Sequence, residues 1–463
     1  MFKLLIKKEI QQGVISLRYM LTLVLTITVF IASAVFFIRS HRERMTDFND
    51  QSLERQEALQ ENAKHLNSLS QTGQYLTRSP KLTELFASGN EKNIPDRVTF
   101  TAFYYAGYEN IDRNNFRLDS IVEMDWVFII GLILSFTALV MTFDRISGEK
   151  ERGTLRLQCA NSLSRFKILT SKYIACLVLM GIALGIGMVL NFLIVSIGLR
   201  VFLIALYPGQ ILLIILITLI YLSIFLLIGL LISSRVHNSA SSLAISLLIW
   251  TTLLIFIPGG GSMLGQKLHR IRSSYQYYQE RSNAWQEIWS NAPVPESRGY
   301  WDGRDFPYLA DRVKLVNRLD ETMDRFREER FNELLGQVRS ARLATMLSPY
   351  TLFRYAMESV SGTGLEAFVR FYSRGKLYRD IFSQFVYDKD EQDPDSYHQI
   401  CAWHPEAYSD KPVPVEDIPV FTEPVASPAA SIYSSRISLL ILIGFNLLFG
   451  MLSFLSFQRY DIR

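Results

Sequence analysis

The sequence predicts an all-α polytopic membrane protein, with six transmembrane helices and a mainly helical extracytoplasmic domain. Three observations predict it. Six segments are long and apolar enough to cross about 30 Å of hydrocarbon. Between two of them lies a run carrying Asp144, Arg145, Glu149, Lys150, Glu151 and Arg152, and a run this charged belongs in water. The composition, 49% hydrophobic and 20% charged over 463 residues, is too apolar for a water-soluble chain and too charged for a bare bundle.

Residues 1–18 read as an interfacial helix. Phe2, Ile6, Ile10, Val14 and Leu17 recur at three- and four-residue spacing, with Lys3, Lys7, Gln11 and Arg18 elsewhere around the helix. Such a helix lies in a membrane interface with its lysines near anionic headgroups. The first span is expected at 19–38. It is too long for a signal-peptide core and lacks a small-residue cleavage site, so it is expected to be retained. The second span is expected at 126–143, the third to fifth at 173–199, 211–232 and 239–257, and the sixth at 437–457. Lys3, Lys7, Lys8, Arg18, the basic residues of 144–172, Arg235, Arg459 and Arg463 all fall on one side. Short basic loops stay in the cytoplasm, so both termini are expected there, in a bacterial inner membrane, with 39–125 and 258–436 outside and 458–463 as a cytoplasmic tail.

The loop 144–172 contains Glu149, Glu151, Gly153, Thr154 and Leu155, followed by Ser164 and Arg165. It resembles the E-x-E-x-G-T-L-E … P-x-S-R loop of ABC-2 type exporter permeases, the membrane subunits driven by a separate ATPase. Arg156 stands where that family usually has Glu, and Ser162 where it usually has Pro. Six spans with a large insertion between the fifth and sixth are also similar to this family. Weaker patches run in the same order: residues 80–89 with Ile94, Pro95 and Arg97; Ile232 to Arg235; and Leu347 to Tyr350. The resemblance implies that Asp144, Glu149, Glu151, Gly153, Thr154, Leu155, Ser164, Arg165 and Arg235 dock an ABC ATPase subunit present in two copies. It also implies a second permease chain, identical or paralogous, with ATP and Mg held on the ATPase. Copper-enzyme maturation is one role that relatives of this type serve.

Within the spans, Gly181, Gly185, Gly187, Gly444 and Gly450 suit close helix packing. Asn191 and Asn446 either line a path or join helices. The absence of a mid-span charge argues against a proton- or sodium-coupled transporter. Outside, Met45 to Leu69 continues the first span as a helix, and 99–105 is a short strand or a packed loop. Pro258 to Gly261 reads as a break, followed by helices at 263–289, 309–347 and 365–387. The first two form a hairpin whose expected seam is Leu268, Ile271, Tyr275 and Tyr278 against Leu319, Met323 and Phe326. Seven prolines between 393 and 430 make an irregular return path.

No catalytic constellation is legible. The run from Gly260 to Lys267 places Gln266 where a phosphate-binding loop needs Lys, so ATP hydrolysis is expected in another chain. Cys401 with His398 and His404 reads as incidental rather than as a metal site. The three cysteines, Cys159, Cys176 and Cys401, form no disulfide framework, and a net charge of +4 gives no reason to expect nucleic acid. Membrane lipids and the ATPase are the expected partners. A membrane-anchored sensor or scaffold with a ligand-binding outer domain is the alternative of another class.

Overall fold

The computed structural model describes residues 2–89, 97–108, 124–160, 164–292, 306–423 and 428–459. Ser162, Ile94, Pro95 and the turn at 293–295 lie outside these. Helix α1 (Phe2–Ile15) turns at Ser16 into α2 (Leu17–Asn62), which is the first span and its extension beyond the membrane. The Ser16 side chain accepts from the Tyr19 amide, the usual cap for orphan donors at a helix start. A short α3 (Leu66–Gln71) follows, then a three-stranded antiparallel sheet, β1 (Gln74–Thr77), β2 (Arg97–Phe100) and β3 (Tyr105–Tyr108). The segment 99–105, expected as a short strand or a packed loop, is the end of β2, a turn and the first residue of β3, and β2 pairs with both other strands. Gln74 faces Phe100 and Thr77 faces Arg97.

The second span is a helix over 126–142, α4, started by Asp125, whose side chain accepts from the Phe128 amide. Two short helices, α5 (Ser147–Glu151) and α6 (Thr154–Ala160), precede α7 (Arg165–Leu199), the third span. A one-turn α8 (Leu203–Leu206) leads to α9 (Pro208–Arg235), and α10 (Ser239–Leu268) is the fifth span. Beyond the membrane come α11 (Ser274–Ser290), α12 (Phe306–Thr345), α13 (Pro349–Ser361) and α14 (Gly364–Glu391). The chain returns through an irregular stretch with single turns at Pro405–Ala407 and Val415–Asp417, and ends in α15 (Pro428–Gln458), the sixth span. Among the described residues six helices are long and apolar enough to cross a membrane, and helix dominates the rest.

Three expectations are corrected. Pro258 and its glycines do not break the chain; α10 runs through them to Leu268. The π-helical turn at Thr252–Phe256, just before Pro258, opens the backbone where the proline ring enters. Gly261 then lies so close to α12 that a Cβ there would meet Thr345 at 2.8 Å. The long helix expected over 263–289 is instead two helices, parted between Leu268 and Ser274. The hairpin seam also differs. Leu268, Tyr275 and Tyr278 are exposed, while Tyr277 is buried with its ring 6.4 Å from that of Phe326. On α12 the expected Leu319 and Met323 are buried. The period was right and the phase of α11 was off by one residue.

In the bundle, Asn191 and Asn446 join helices. Asn191 donates to the Phe30 carbonyl at 2.8 Å and accepts from the Trp126 indole at 3.3 Å. Asn446 donates to the Ile220 carbonyl and accepts from Ser223. Of the expected packing glycines, Gly187 presses on Phe30, whereas Gly185 and Gly444 face open space. Gly229, which the pattern did not single out, makes room for Thr142.

A second π-helical turn, Ile129–Leu134, interrupts α4. Its Gly131 carbonyl accepts from Tyr221 at 2.7 Å and Ser135 at 2.6 Å. In the other π-turn, the Leu253 carbonyl accepts from Ser348 at 2.5 Å. Helix α13 lies across both. Its Phe353 stacks on Tyr221 at 4.3 Å, and Tyr350 packs on Gly131. The distal domain, on the side away from the termini, has its own core around Phe331, Phe371, Tyr372 and Phe382.

Candidate functional site: the charged loop on the terminal face

Helix α1, the end of α15 and the loop 144–160 meet on one face of the bundle. Lys172, 1% exposed at the start of α7, organises it. Its ammonium lies 2.6 Å from Glu149 on α5 and 3.0 Å from Glu9 on α1. Arg145 approaches Glu9 from the other side at 3.7 Å, and Gln158 on α6 donates to Glu149 at 3.0 Å. Arg18 pairs with Asp144 at 2.5 Å and lies over the Phe143 ring. Two carboxylates and two cations thus share a largely buried spot, which is stable only because each charge has an opposite neighbour.

The loop is also fixed to α9 and α10. The amides of Ile146 and Ser147 both donate to the Ser233 hydroxyl at 3.0 Å. Lys150 donates to the carbonyls of Ser234 at 2.5 Å and Val236 at 3.2 Å, where an α-helix leaves acceptors unfilled. Glu151 accepts from the Ser239 amide at 2.8 Å and hydroxyl at 2.7 Å, at the first turn of α10, where a negative charge is favoured.

The nine residues named from the sequence divide into three groups. Asp144, Glu149 and Leu155 turn inward. Leu155 is buried with Ile146, Ile168, Leu169, Leu230 and Phe457. Glu151, Gly153 and Thr154 form an exposed edge with Arg152 and Arg156. Gly153 has φ +70°, the left-handed conformation that lets α5 stop and α6 start in so few residues. Ser164, Arg165 and Arg235 serve helix ends. Ser164 caps α7 through the Lys167 amide. Arg165 donates to the carbonyls of Phe457 and Gln458, and Arg235 to the Ser456 hydroxyl at 2.8 Å, so both hold the end of α15.

Sequence reasoning missed Glu9 and the burial of Lys172. Glu9 sits on the face of α1 that also carries Gly13, one turn on, against Leu179. An acidic residue four before a glycine, at the border of the apolar stripe, was the available sign. Lys172 counted only toward orientation. Lys3, Lys7 and Lys8 are exposed.

The loop behind the exposed edge is thus joined to five elements: α4 by the chain itself, α7 and through it α1 by Lys172 and Glu9, α9 by Ser233 and Lys150, and α10 by Ser239. Away from this face, Cys401 is buried beside Leu309, Val313 and Val316. His398 and His404 are engaged by Asp390 and Glu406. Among the described residues no group of three or more metal-ligating side chains is assembled.

A family model described as ABC-2 family transporter protein matches residues 4–462. No curated protein matches the chain.

Proposed function

The chain belongs to the ABC-2 family of transporter proteins, as a membrane permease, and from that premise we propose that it is the membrane subunit of an exporter driven by a separate ATPase chain. The terminal face is then cytoplasmic and the distal domain lies outside. Two ATPase subunits dock on the exposed edge of Glu151, Arg152, Gly153 and Thr154, one for each of two permease chains, identical or paralogous. ATP and Mg stay with the ATPase. The observation that carries this reading is the clamp behind the edge. A surface loop without mechanical work to do has no need of a buried lysine held by two carboxylates from two other elements. Support for a second permease chain comes from spans five and six, whose most apolar windows are only 17% buried within this chain and so have faces left for lipid or a partner.

The test is Glu151→Arg in the full-length protein, followed by affinity purification and measurement of co-purifying ATPase subunit and ATP-dependent transport. The expected result is normal membrane insertion with strong loss of ATPase association. Unchanged association and coupled turnover would remove the dock from this edge and favour the sensor or scaffold reading.

A further inference from the structure

The distal domain contains a cavity of about 390 Å³ between α12, α14 and the β2–β3 corner. That is within the size range of small-molecule sites, roughly 300–1,000 Å³. Its walls are mixed: aromatic rings from Phe103, Tyr105, Tyr372 and Tyr387, and charged groups from both helices. The charges are unevenly matched. Arg327 and Arg379 both face Asp324, the latter at 3.3 Å. Lys376 pairs with Glu328 at 2.7 Å, and Arg325 approaches Glu329 at 4.0 Å. Every cation on the wall therefore has a carboxylate partner.

Asp320 has no such match. It lies one turn before Asp324 on α12 and lines the cavity, and among the described residues its buried Oδ2 has no hydrogen-bond partner. A carboxylate oxygen in that position is costly unless something positive comes to it. An ammonium group satisfies the carboxylate and is attracted to neighbouring aromatic faces as well. An anion would meet cations that are already paired and a carboxylate that repels it. We propose that this cavity binds a small organic amine in its cationic form, with the Asp320 carboxylate as counterion and the tyrosine rings around its apolar body.

Burial, reinforced by the charge of Asp324, pushes Asp320 up to about 7, with Arg327 opposing. The other groups facing it are Glu321, Asp324 and Arg327 on α12, Lys376, Arg379 and Tyr387 on α14, Tyr105 on β3, and Cys401 in the return path. Burial raises Tyr105, Tyr387 and Cys401, which therefore stay neutral. A cation binds the ionised carboxylate, so affinity rises as pH goes from about 6 to about 8 and Asp320 loses its proton.

The experiment uses the full-length protein in nanodiscs and three probes of one shape: phenethylamine, phenethyl alcohol and phenylacetate. Calorimetric titration is expected to give binding for the amine, at least tenfold weaker binding for the alcohol, and none for the acid. Asp320→Asn keeps the shape of the side chain and is expected to weaken the amine by tenfold or more and to abolish the pH dependence. Ser383→Phe, which fills the cavity from α14, is expected to abolish binding by a different route. Tighter binding of phenylacetate, absence of amine binding at millimolar concentration, or unchanged amine affinity in Asp320→Asn each overturns the proposal.

Discussion

The ammonium of Lys172 stands 2.6 Å from a carboxylate oxygen of Glu149, although 23 residues separate them and they lie on different helices. The contact makes the charged loop an extension of the third span. Glu9 closes the same lysine from α1.

Lys172→Met is expected to destabilise the protein by about 3–5 kcal/mol, because it leaves buried carboxylates without their shared cation. Thermal unfolding of the purified protein in detergent measures this. Adding Glu149→Gln to Lys172→Met is expected to cost much less than the two single effects summed, since the pair acts as a unit. Strictly additive losses would mean that the contact carries no coupling.

Ser239→Ala separates two roles of Glu151. The variant removes the Ser239 hydroxyl's bond to Glu151, leaves the bond from the Ser239 amide, and keeps the Glu151 charge on the exposed edge. It is expected to keep the ATPase subunit in pull-downs while lowering ATP-dependent transport. Loss of the ATPase in Ser239→Ala would show that the edge needs its bond to α10 to hold its shape.

Orientation is checked by labelling a cysteine-free protein with a membrane-impermeant maleimide in intact cells. A cysteine at Asn291, which is exposed, is expected to react. One at Arg152, also exposed, is expected to react only after permeabilisation. Ser147 is unsuitable because it is fully buried against Ser233.

Within the distal domain, Tyr277→Ala is expected to loosen α11 from α12 and raise protease sensitivity, whereas Tyr278→Ala is expected to change little. Leu319→Asp should open the domain more widely. Burying a Leu side chain contributes roughly 1.5–3 kcal/mol, and the new charge is unpaired as well. Limited proteolysis of membranes reads all three. If the domain controls release, Leu319→Asp abolishes export while the ATPase still binds.

The spans were legible because eighteen or more consecutive apolar residues leave few alternatives. The loop was legible because charge has no place in hydrocarbon. What stayed hidden depended on contacts between distant parts of the chain. Glu9 and Lys172 are 163 residues apart, and no local pattern announces that one will cover the other. Pro258 reads as a breaker only if the preceding turn is α-helical; the π-turn before it is invisible in the sequence. Tyr277 and Tyr278 are chemically equivalent neighbours, and which of them faces α12 is set by how α11 starts at Ser273. Asp320 drew no notice because an aspartate on a long polar helix is ordinarily a solvated one.

Each π-turn, in α4 and α10, holds one residue more than the α-turn that would replace it. Releasing that residue shortens the path by about 1.5 Å and rotates everything beyond it by about a sixth to a third of a turn. Both π-turns lie beneath α13, and their spare carbonyls are held by Tyr221 and Ser348. The two hydroxyls therefore fasten the bundle beneath α13 at the two places where the helical hydrogen-bond ladder of a span is open.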